Sequence, residues 1–527
     1  MKLWIFIVSL SIVEKKMNHK TYNTLYNCCI SNPWLKVVEK LDEELNLNPV
    51  YFIGWDDGSH KITEKYEKCF FHQVDKAWLG MGFPDIKYNF DISEELIQSI
   101  SFEKSLAIKM MDRFDLGRGN FSYTNREIFF YQLLKYWLTI VEEYDINIII
   151  SPSVPHRVFD YVLYIVAKIK NINFLMFQMT PFTDSSFLLD DIQQTPKYLK
   201  TYMQDNIAQE PLHEHIQQRL NQVRGEYKDA IPSFMIEQQN RLNSQNFIKN
   251  NVLRIKNFIH NPIQYFDKDD SYYVIEKDSI PSNKKDLQYH KKIKKHSNKN
   301  FLNNLKKDYE SFSIEPNYNQ KYLFLALHYQ PEETTMPTGG LFSSQELIVE
   351  LLNNFLDDDY FIYIKEHKTQ FDSNAQGAMG RHKDYYKNIL SISNRIKFIT
   401  LKTEPFKLID NAVATVTISG TVGWESAIRG TPTIIFGRAW YEDMPGIFKV
   451  KSIKDIHNNW KDILHLKGNI STQSIDNYHQ NIQNFFIDAA HYKAFVNKVD
   501  RTEKENALNI VNGISKHLNQ INFFNVK

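Results

Sequence analysis

Short apolar runs recur along this chain, each ending in small or charged residues and followed by a stretch with helical spacing. In the second half, Val413–Ile418 is rich in β-branched residues and suits a buried parallel strand. Ser419-Gly420-Thr421 then makes a polar turn. Val422–Arg429 has room for two helical turns with Gly430 placed to end them, and Pro432–Phe436 is the next strand. Tyr322–Leu327 is a second run of this kind and delivers His328-Tyr329-Gln330-Pro331-Glu332. A turn at Thr338-Gly339-Gly340 and a helical pattern from Gln345 to Phe355 follow it. Phe361–Ile364 is a third run and delivers Lys365-Glu366-His367.

The first half has the same rhythm. Leu3–Leu10 reads as a strand. Asn32-Pro33 opens a helix to Leu45, with Asn32 as cap and Pro33 at the first helical position. Val50–Gly54 is a strand that releases Trp55-Asp56-Asp57-Gly58. Thr124–Glu143 is an amphipathic helix capped by Thr124 or Asn125. Ile146–Ile150 is a strand that releases Ser151 to His156, Val158–Ile169 a helix, and Asn173–Gln178 a strand. Strands alternating with helices predict doubly wound α/β domains. Residues 191–319 show few strand signals and read as a helical, polar insert. Within it, Asn283–Lys307 is strongly basic, as a solvated helix face is, or else a contact for anionic lipid or glycan. The expected units are thus 1–190, a helical insert 191–319, 320–451, and a helical tail 452–527.

Composition narrows the class. A chain of 527 residues exceeds one compact domain of ~100–200 residues. Lys+Arg number 63 against Asp+Glu 62, so no net field draws nucleic acid, and no nucleic-acid partner is expected. The three cysteines, Cys28, Cys29 and Cys69, make no disulfide framework and fit a reducing cytoplasm. Leu3–Val13 imitates a signal peptide but falls short of the ~20 apolar residues of a membrane span, and no small-x-small cleavage signal follows. The expected location is cytoplasmic, with peripheral contact at the inner membrane face or with export machinery left open.

Ligands of open α/β sheets sit outside the carboxyl ends of the strands, where the polar residues above are released. A Gly/Ser/Thr turn opening a helix presents unpaired N–H groups and the positive helix end, a place for phosphate. Ser419, Gly420 and Thr421 can supply those donors, or they simply cap a helix. Lys365 and His367 can supply positive charge and acid character. Glu425 either accepts ribose hydroxyls or pairs with its helix N-terminus. His328, Gln330 and Glu332 lie beside the same edge, with Glu332 a hydrogen-bonding group or a loop carboxylate. A proton acceptor from the first half, across the cleft, is sought at Asp56, Asp57, His156 and Asp160. Asp160 follows His156 by four residues, which would place both on one helical face. Packing and helix-start electrostatics explain that pair equally well. No metal or other cofactor is called for: no Asp-x-Asp pair stands at a strand end, and Asp357-Asp358-Asp359 reads as a solvated turn.

ALHYQPEETTMPTGG, YIKEH and ISGTVGWESAIRGTPTIIFGRAWY resemble the capsule polysaccharide biosynthesis family of bacterial glycosyltransferase-like proteins. The resemblance spans roughly Lys321 to Tyr441 and is fainter over Ile148–Thr180. It implies two Rossmann-like domains facing a cleft, the GT-B arrangement, in a hexosyl- or Kdo-type glycosyltransferase of surface polysaccharide assembly, and the residues above suit metal-independent transfer. Its partners would be a CMP- or UDP-linked sugar donor and a glycan or glycolipid acceptor. The best understood members transfer Kdo from CMP-Kdo. Lys368 stands where many relatives carry proline after the histidine that His367 matches. Two rival readings share the architecture: a CDP-polyol phosphotransferase of the teichoic-acid type, and a non-catalytic polysaccharide-binding or export-assembly protein.

Overall fold

The structure, a computed structural model, describes residues 20–55, 58–89, 92–115, 121–182, 185–205, 210–231, 284–372, 377–491 and 501–525. Leu3–Leu10, Asp56 and Asp57 lie outside the described residues.

The first domain is built on β1 (Tyr22–Tyr26), β2 (Leu47–Gly54), β3 (Phe70–Gln73), β4 (Ile148–Ser151), β5 (Asn173–Met179) and β6 (Ser186–Leu189). A short strand from the far end of the chain, β14 (Phe486–Ile487), completes it. The strand order is β14-β6-β5-β4-β1-β2-β3; β1 to β5 run parallel, and β6 and β14 pair antiparallel at one edge. The domain's longest helices are α1 (Ser31–Leu45), α2 (Ser101–Met110), α3 (Tyr123–Glu143) and α4 (Val158–Ile169). Residues 158–167 of α4 are all buried, as befits a helix held between a sheet and α3, where Trp137 Nε1 donates to Phe159 O at 2.9 Å. Two expected caps differ. α1 starts at Ser31 after Ile30, with no side-chain cap, and α3 is capped by Ser122, whose Oγ accepts from the amide of Asn125. Thr124 and Asn125 lie inside the first turn, so the capping hydroxyl comes from Ser122, two residues before Thr124.

Two helices matter in the connecting segment: α5 (Glu214–Arg224) and α6 (Lys284–Phe312). The second domain then carries β7 (Ser313–Ile314), β8 (Lys321–Ala326), α7 (Glu346–Phe355), β9 (Tyr360–Lys365), α8 (Tyr385–Ile392), β10 (Ile396–Ile399), α9 (Pro405–Asn411), β11 (Ala414–Thr417), α10 (Thr421–Ile428), β12 (Thr433–Ile435) and β13 (Ile447–Lys449). All its strands are parallel, in the order β13-β12-β11-β8-β9-β10-β7. Central strands such as Ala414–Thr417 and Ile362–Ile364 are buried throughout, which is why they read as unbroken apolar or β-branched runs.

The tail returns to the first domain. After α11 (Ile453–Leu466) and α12 (Thr472–Ile482), β14 pairs with β6, and α13 (Glu503–Gln520) packs against α1. Thr502 and Glu505 form a capping box at its start. Ala507, Ile510, Val511, Ile514 and Leu518, at helical spacing, are fully buried with Trp34, Val37 and Leu41. Burial contributes about 1.5–3 kcal/mol for each of the larger side chains. A second core cluster is continuous between the domains: the Phe182 ring meets Trp424, Trp440 and Phe486 with centroids 5.7, 5.8 and 5.4 Å away.

Candidate active site

Each sheet has one place where the chain reverses its direction of strand addition, and there neighbouring loops splay apart. In the first sheet it lies between β1 and β4, so the loop 152–157 opens onto it. In the second it lies between β8 and β11, flanked by loops 327–340 and 418–420. The two crevices face each other. Lys109 Nζ, beyond β3 in the first domain, donates to Ser344 Oγ at 2.6 Å and Ser343 Oγ at 3.1 Å. Arg438 donates from Nε to Ile192 O and from Nη2 to Gln178 Oε1, both at 2.9 Å. Thr195 Oγ1 donates to Glu442 Oε1 at 2.7 Å.

On the second-domain wall, several expected ligand groups are engaged within the protein. The buried His328 ring spans the crevice. Its Nε2 meets Thr417 Oγ1 at 2.8 Å and accepts from the amides of Ile418 at 3.2 Å and Ser419 at 3.4 Å. Nε2 therefore carries the lone pair and Nδ1 the proton, directed at Thr334 Oγ1 at 3.2 Å. Burial, with His367 and Arg381 nearby, pushes His328 down to about 3, so it stays neutral. Ser419 Oγ donates to Thr334 O at 3.1 Å. The loop after β11 is thus held closed by side chains from the loop after β8. Gly420 fits closely there: a Cβ would lie 3.0 Å from Thr417 Oγ1 and 3.1 Å from two atoms of the His328 ring. Gly423 has a similar reason, since its Cβ would come within 2.6 Å of Tyr441 Oη.

Thr421, the first residue of α10, is exposed, and its hydroxyl faces no protein partner among the described residues. Gln330 is a buried brace that donates from Nε2 to Ser343 O and accepts from Arg381. Lys365 is buried at the end of β9, and its Nζ donates to Thr403 O. Burial first, then Lys368, lowers it to about 8. His367 caps the turn that follows, its Nδ1 accepting from the amide of Thr369 at 3.2 Å, and its ring centroid lies 6.4 Å from that of Tyr329. Glu425 is half-buried and sits 3.7 Å from Arg219 of α5; burial pushes its carboxyl up to about 7 against Arg219 and Arg429.

One feature of this wall has no warning in the sequence. Glu366 and Arg381 form a fully buried ion pair, Nε to Oε2 at 2.9 Å and Nη2 to Oε1 at 3.1 Å. Tyr386 Oη also donates to Glu366, at 2.8 Å, and Arg381 Nη2 donates to His328 O at 3.0 Å. This pair ties together the loops after β8 and β9. A lone Arg in a loop gives no sign of the fold-distant partner it will meet.

On the first-domain wall, His156 precedes α4 rather than lying on it, so it does not share a helical face with Asp160. The helix starts at Val158, and Asp160 turns back to accept from the amide of Arg157 at 2.7 Å. Asp160 is 1% exposed, and its carboxylate serves that helix start, with Arg157 and Arg113 as its cationic neighbours. His156 Nδ1 donates to Val154 O at 2.7 Å, which leaves the lone pair on Nε2. Burial, then Arg157 and Arg113, hold its pKa well below the usual value. Across the cleft, Glu332 keeps surface open to solvent while the walls desolvate its carboxyl and raise its pKa, against the nearby Arg113. His156, Asp160 and Glu332 therefore share one environment, organised by two arginines, Arg113 and Arg157, that no sequence signal marked. Arg157 lies over the rings of Trp55 and Trp78, 5.4 and 5.6 Å from their centroids.

Among the described residues, one group could hold a metal ion. His213, His215 and Asp488 offer ligand atoms within 4.8 Å of one another, at the start of α5 and just after β14. None of them belongs to the wall residues above.

Residues 238–483 match the family described as capsule polysaccharide biosynthesis protein. The resemblance read from the sequence is borne out over that segment. No curated protein matches the chain in sequence. Among solved structures, a β-Kdo 2,4 transferase, KpsC of Thermosulfurimonas dismutans, is similar at 11% identity, covering 63% of this chain and 79% of that one, with a TM-score of 0.28. The β-Kdo 2,7 transferase of the same protein gives 8%, 71%, 88% and 0.27 for the same quantities. UDP-GlcNAc 2-epimerase of Methanocaldococcus jannaschii gives 10%, 88%, 99% and 0.24. At these scores the superpositions are loose, and the two-domain α/β fold is established by the strand order of the chain itself.

Proposed function

We propose that the chain is a glycosyltransferase that takes a nucleotide-activated sugar, CMP- or UDP-linked, and extends a bacterial capsule or surface polysaccharide. The observation that carries this reading is the meeting of two switch-point crevices. One wall presents a helix N-terminus, the other a neutral histidine with a free lone pair. The family match over residues 238–483 supports the same reading.

In this reading the donor lies against the second domain. The first-turn amides of α10 and the Thr421 hydroxyl face its phosphate, and His367 stands beside them as a hydrogen-bond donor. Groups aimed in advance at a leaving phosphate stabilise the charge that builds there. Glu425 is assigned to the nucleoside side, where Arg219 orients it. His328, Gln330, Lys365, Ser419 and Gly420 shape the loops that carry these groups. The acceptor lies against the first domain, and its hydroxyl gives its proton to His156 Nε2. The bond from Nδ1 to Val154 O fixes the tautomer that this step needs. Asp160 holds the start of α4 and so the position of His156, and Glu332 orients the sugar from across the cleft.

A thermal-shift screen against CMP, CDP, UDP, GDP and their sugars tests the donor. A nucleotide at 100 times its Kd adds about 2.7 kcal/mol to the native state. Product analysis then separates a glycosidic bond from the phosphodiester that a CDP-polyol phosphotransferase would leave. If no nucleotide in the set stabilises the protein, the donor assignment fails.

A further inference from the structure

Arg113 has an unusual position. It lies in the short 3₁₀ turn Met111–Phe114 after α2, and titratable groups of both domains surround its side chain. Only 7% of the residue is exposed. Its Nε is buried and has no hydrogen-bond partner, and among the described residues no side-chain hydrogen bond or ion pair is formed by its guanidinium. The other buried arginines of the cleft differ: Arg438 donates to Ile192 O and Gln178, and Arg381 is paired with Glu366. Around Arg113 lie Arg157, a second cation, then Asp160, Tyr329 and Glu332. Asp160 is already committed to the start of α4, and Glu332 hydrogen-bonds with Thr334 at 3.2 Å. Both carboxylates attract Arg113, yet neither bonds to its guanidinium, and a buried N–H left without an acceptor is costly. A ligand anion would supply the acceptors that the protein does not.

We propose that Arg113 is the recognition residue for a carboxylate or phosphate carried by the substrate bound on the first-domain side of the cleft. The inference rests on reading the cleft as a substrate site and adds a substrate class to it: the molecule held beside His156 is acidic. The planar fork of Arg113 suits either group, since both present two coplanar oxygens. Arg157, on the same wall, strengthens the field without being needed for the contact. A neutral sugar would offer Arg113 no charged acceptor, so the site selects against uncharged substrates.

The test uses the full chain and two probes, sodium phosphate and sodium glucuronate, with sodium chloride and glucose as controls at matched ionic strength. Wild-type protein, Arg113→Lys and Arg113→Met are compared by thermal shift and calorimetry. One or both anions should raise the melting temperature of the wild type above the controls. The probe that does so identifies the group as phosphate or carboxylate. Its affinity should fall at least 10-fold in Arg113→Lys, which keeps the charge and loses the fork, and disappear in Arg113→Met. Without anion, Arg113→Met should melt no lower than the wild type, because it removes a buried charge to which no side chain bonds. A clear loss of stability in anion-free Arg113→Met would show that Arg113 serves the fold and would overturn the proposal. So would equal anion effects in all three proteins, or no anion effect in the wild type. Nucleotide binding is read separately in the same three proteins. If it fails while anion binding through Arg113 persists, the donor assignment is wrong and the acidic subsite stands.

Discussion

Removing Arg381 should be far more damaging than removing any other single cation of the cleft. Its guanidinium makes two bonds to Glu366, at 2.9 and 3.1 Å, and others to Gln330, to His328 O at 3.0 Å and to Gly380 O at 2.9 Å. Both charged partners have no accessible side-chain surface. In Arg381→Met, Glu366 keeps only Tyr386 Oη and the amide of His367, and a buried carboxylate is left without its cation. Breaking a buried pair from one side costs about 3–5 kcal/mol. For a unit of the second domain's size, roughly 2–4 °C of melting temperature follows each kcal/mol, so the transition should fall by roughly 6–20 °C. The double variant Glu366→Leu/Arg381→Met should recover most of that loss, because the isolated charge is then gone. Differential scanning calorimetry of the wild type, both single variants and the double variant gives the cycle. A fall of less than 2 °C in Arg381→Met, or a double variant no better than the worse single one, would refute the account of this pair as the brace of the site loops.

Three further outcomes follow from the same geometry. Gly420→Val should abolish nucleotide binding and lower stability, since even the Cβ crowds Thr417 Oγ1 at 3.0 Å and the His328 ring at 3.1 Å; Thr421→Ala should leave stability unchanged and weaken the nucleotide alone. His156→Ala should cut turnover ~10²–10⁴-fold, the range for a general base, while donor affinity measured by calorimetry stays within twofold. His491 is buried against Phe177 with its Nδ1 at Ser186 Oγ, and burial lowers it to about 3. Its unfolded form takes up a proton near pH 6.5 while the folded form does not, so its contribution to stability is present above that pH and is lost as pH falls toward 3. Relative to His491→Gln, the wild type should lose about 1.4 kcal/mol per pH unit below about 6, read from melts at pH 4, 5, 6 and 7.

The parallel architecture was legible because it is written locally. Strands buried on both faces, such as Ala414–Thr417 and Ile148–Ser151, must be apolar or β-branched throughout, and α4 runs over the residues its pattern predicted. Ends of elements were less legible. The caps at Ile30 and Ser122 depend on one residue of backbone geometry that spacing does not encode. At the site, the sequence marked which residues leave the strand ends but not which way they turn. His328 and Gln330 look like ligand groups in a row of polar residues, yet their partners are Ile418, Ser419 and Arg381, distant in the chain and adjacent only in the fold. Arg113 and Arg381 were invisible for the same reason. Nothing in their neighbours along the chain announces that one is paired and the other is not.

The central claim is that a nucleotide-activated sugar occupies the second-domain wall at the start of α10. Calorimetric titration of the full chain with CMP, CDP, UDP, GDP and their sugars, repeated on Gly420→Val and Thr421→Ala, tests it most directly. The account predicts one nucleotide bound per chain, with affinity reduced in Thr421→Ala and lost in Gly420→Val. Absence of binding by every nucleotide, or an affinity unchanged in both variants, would contradict it.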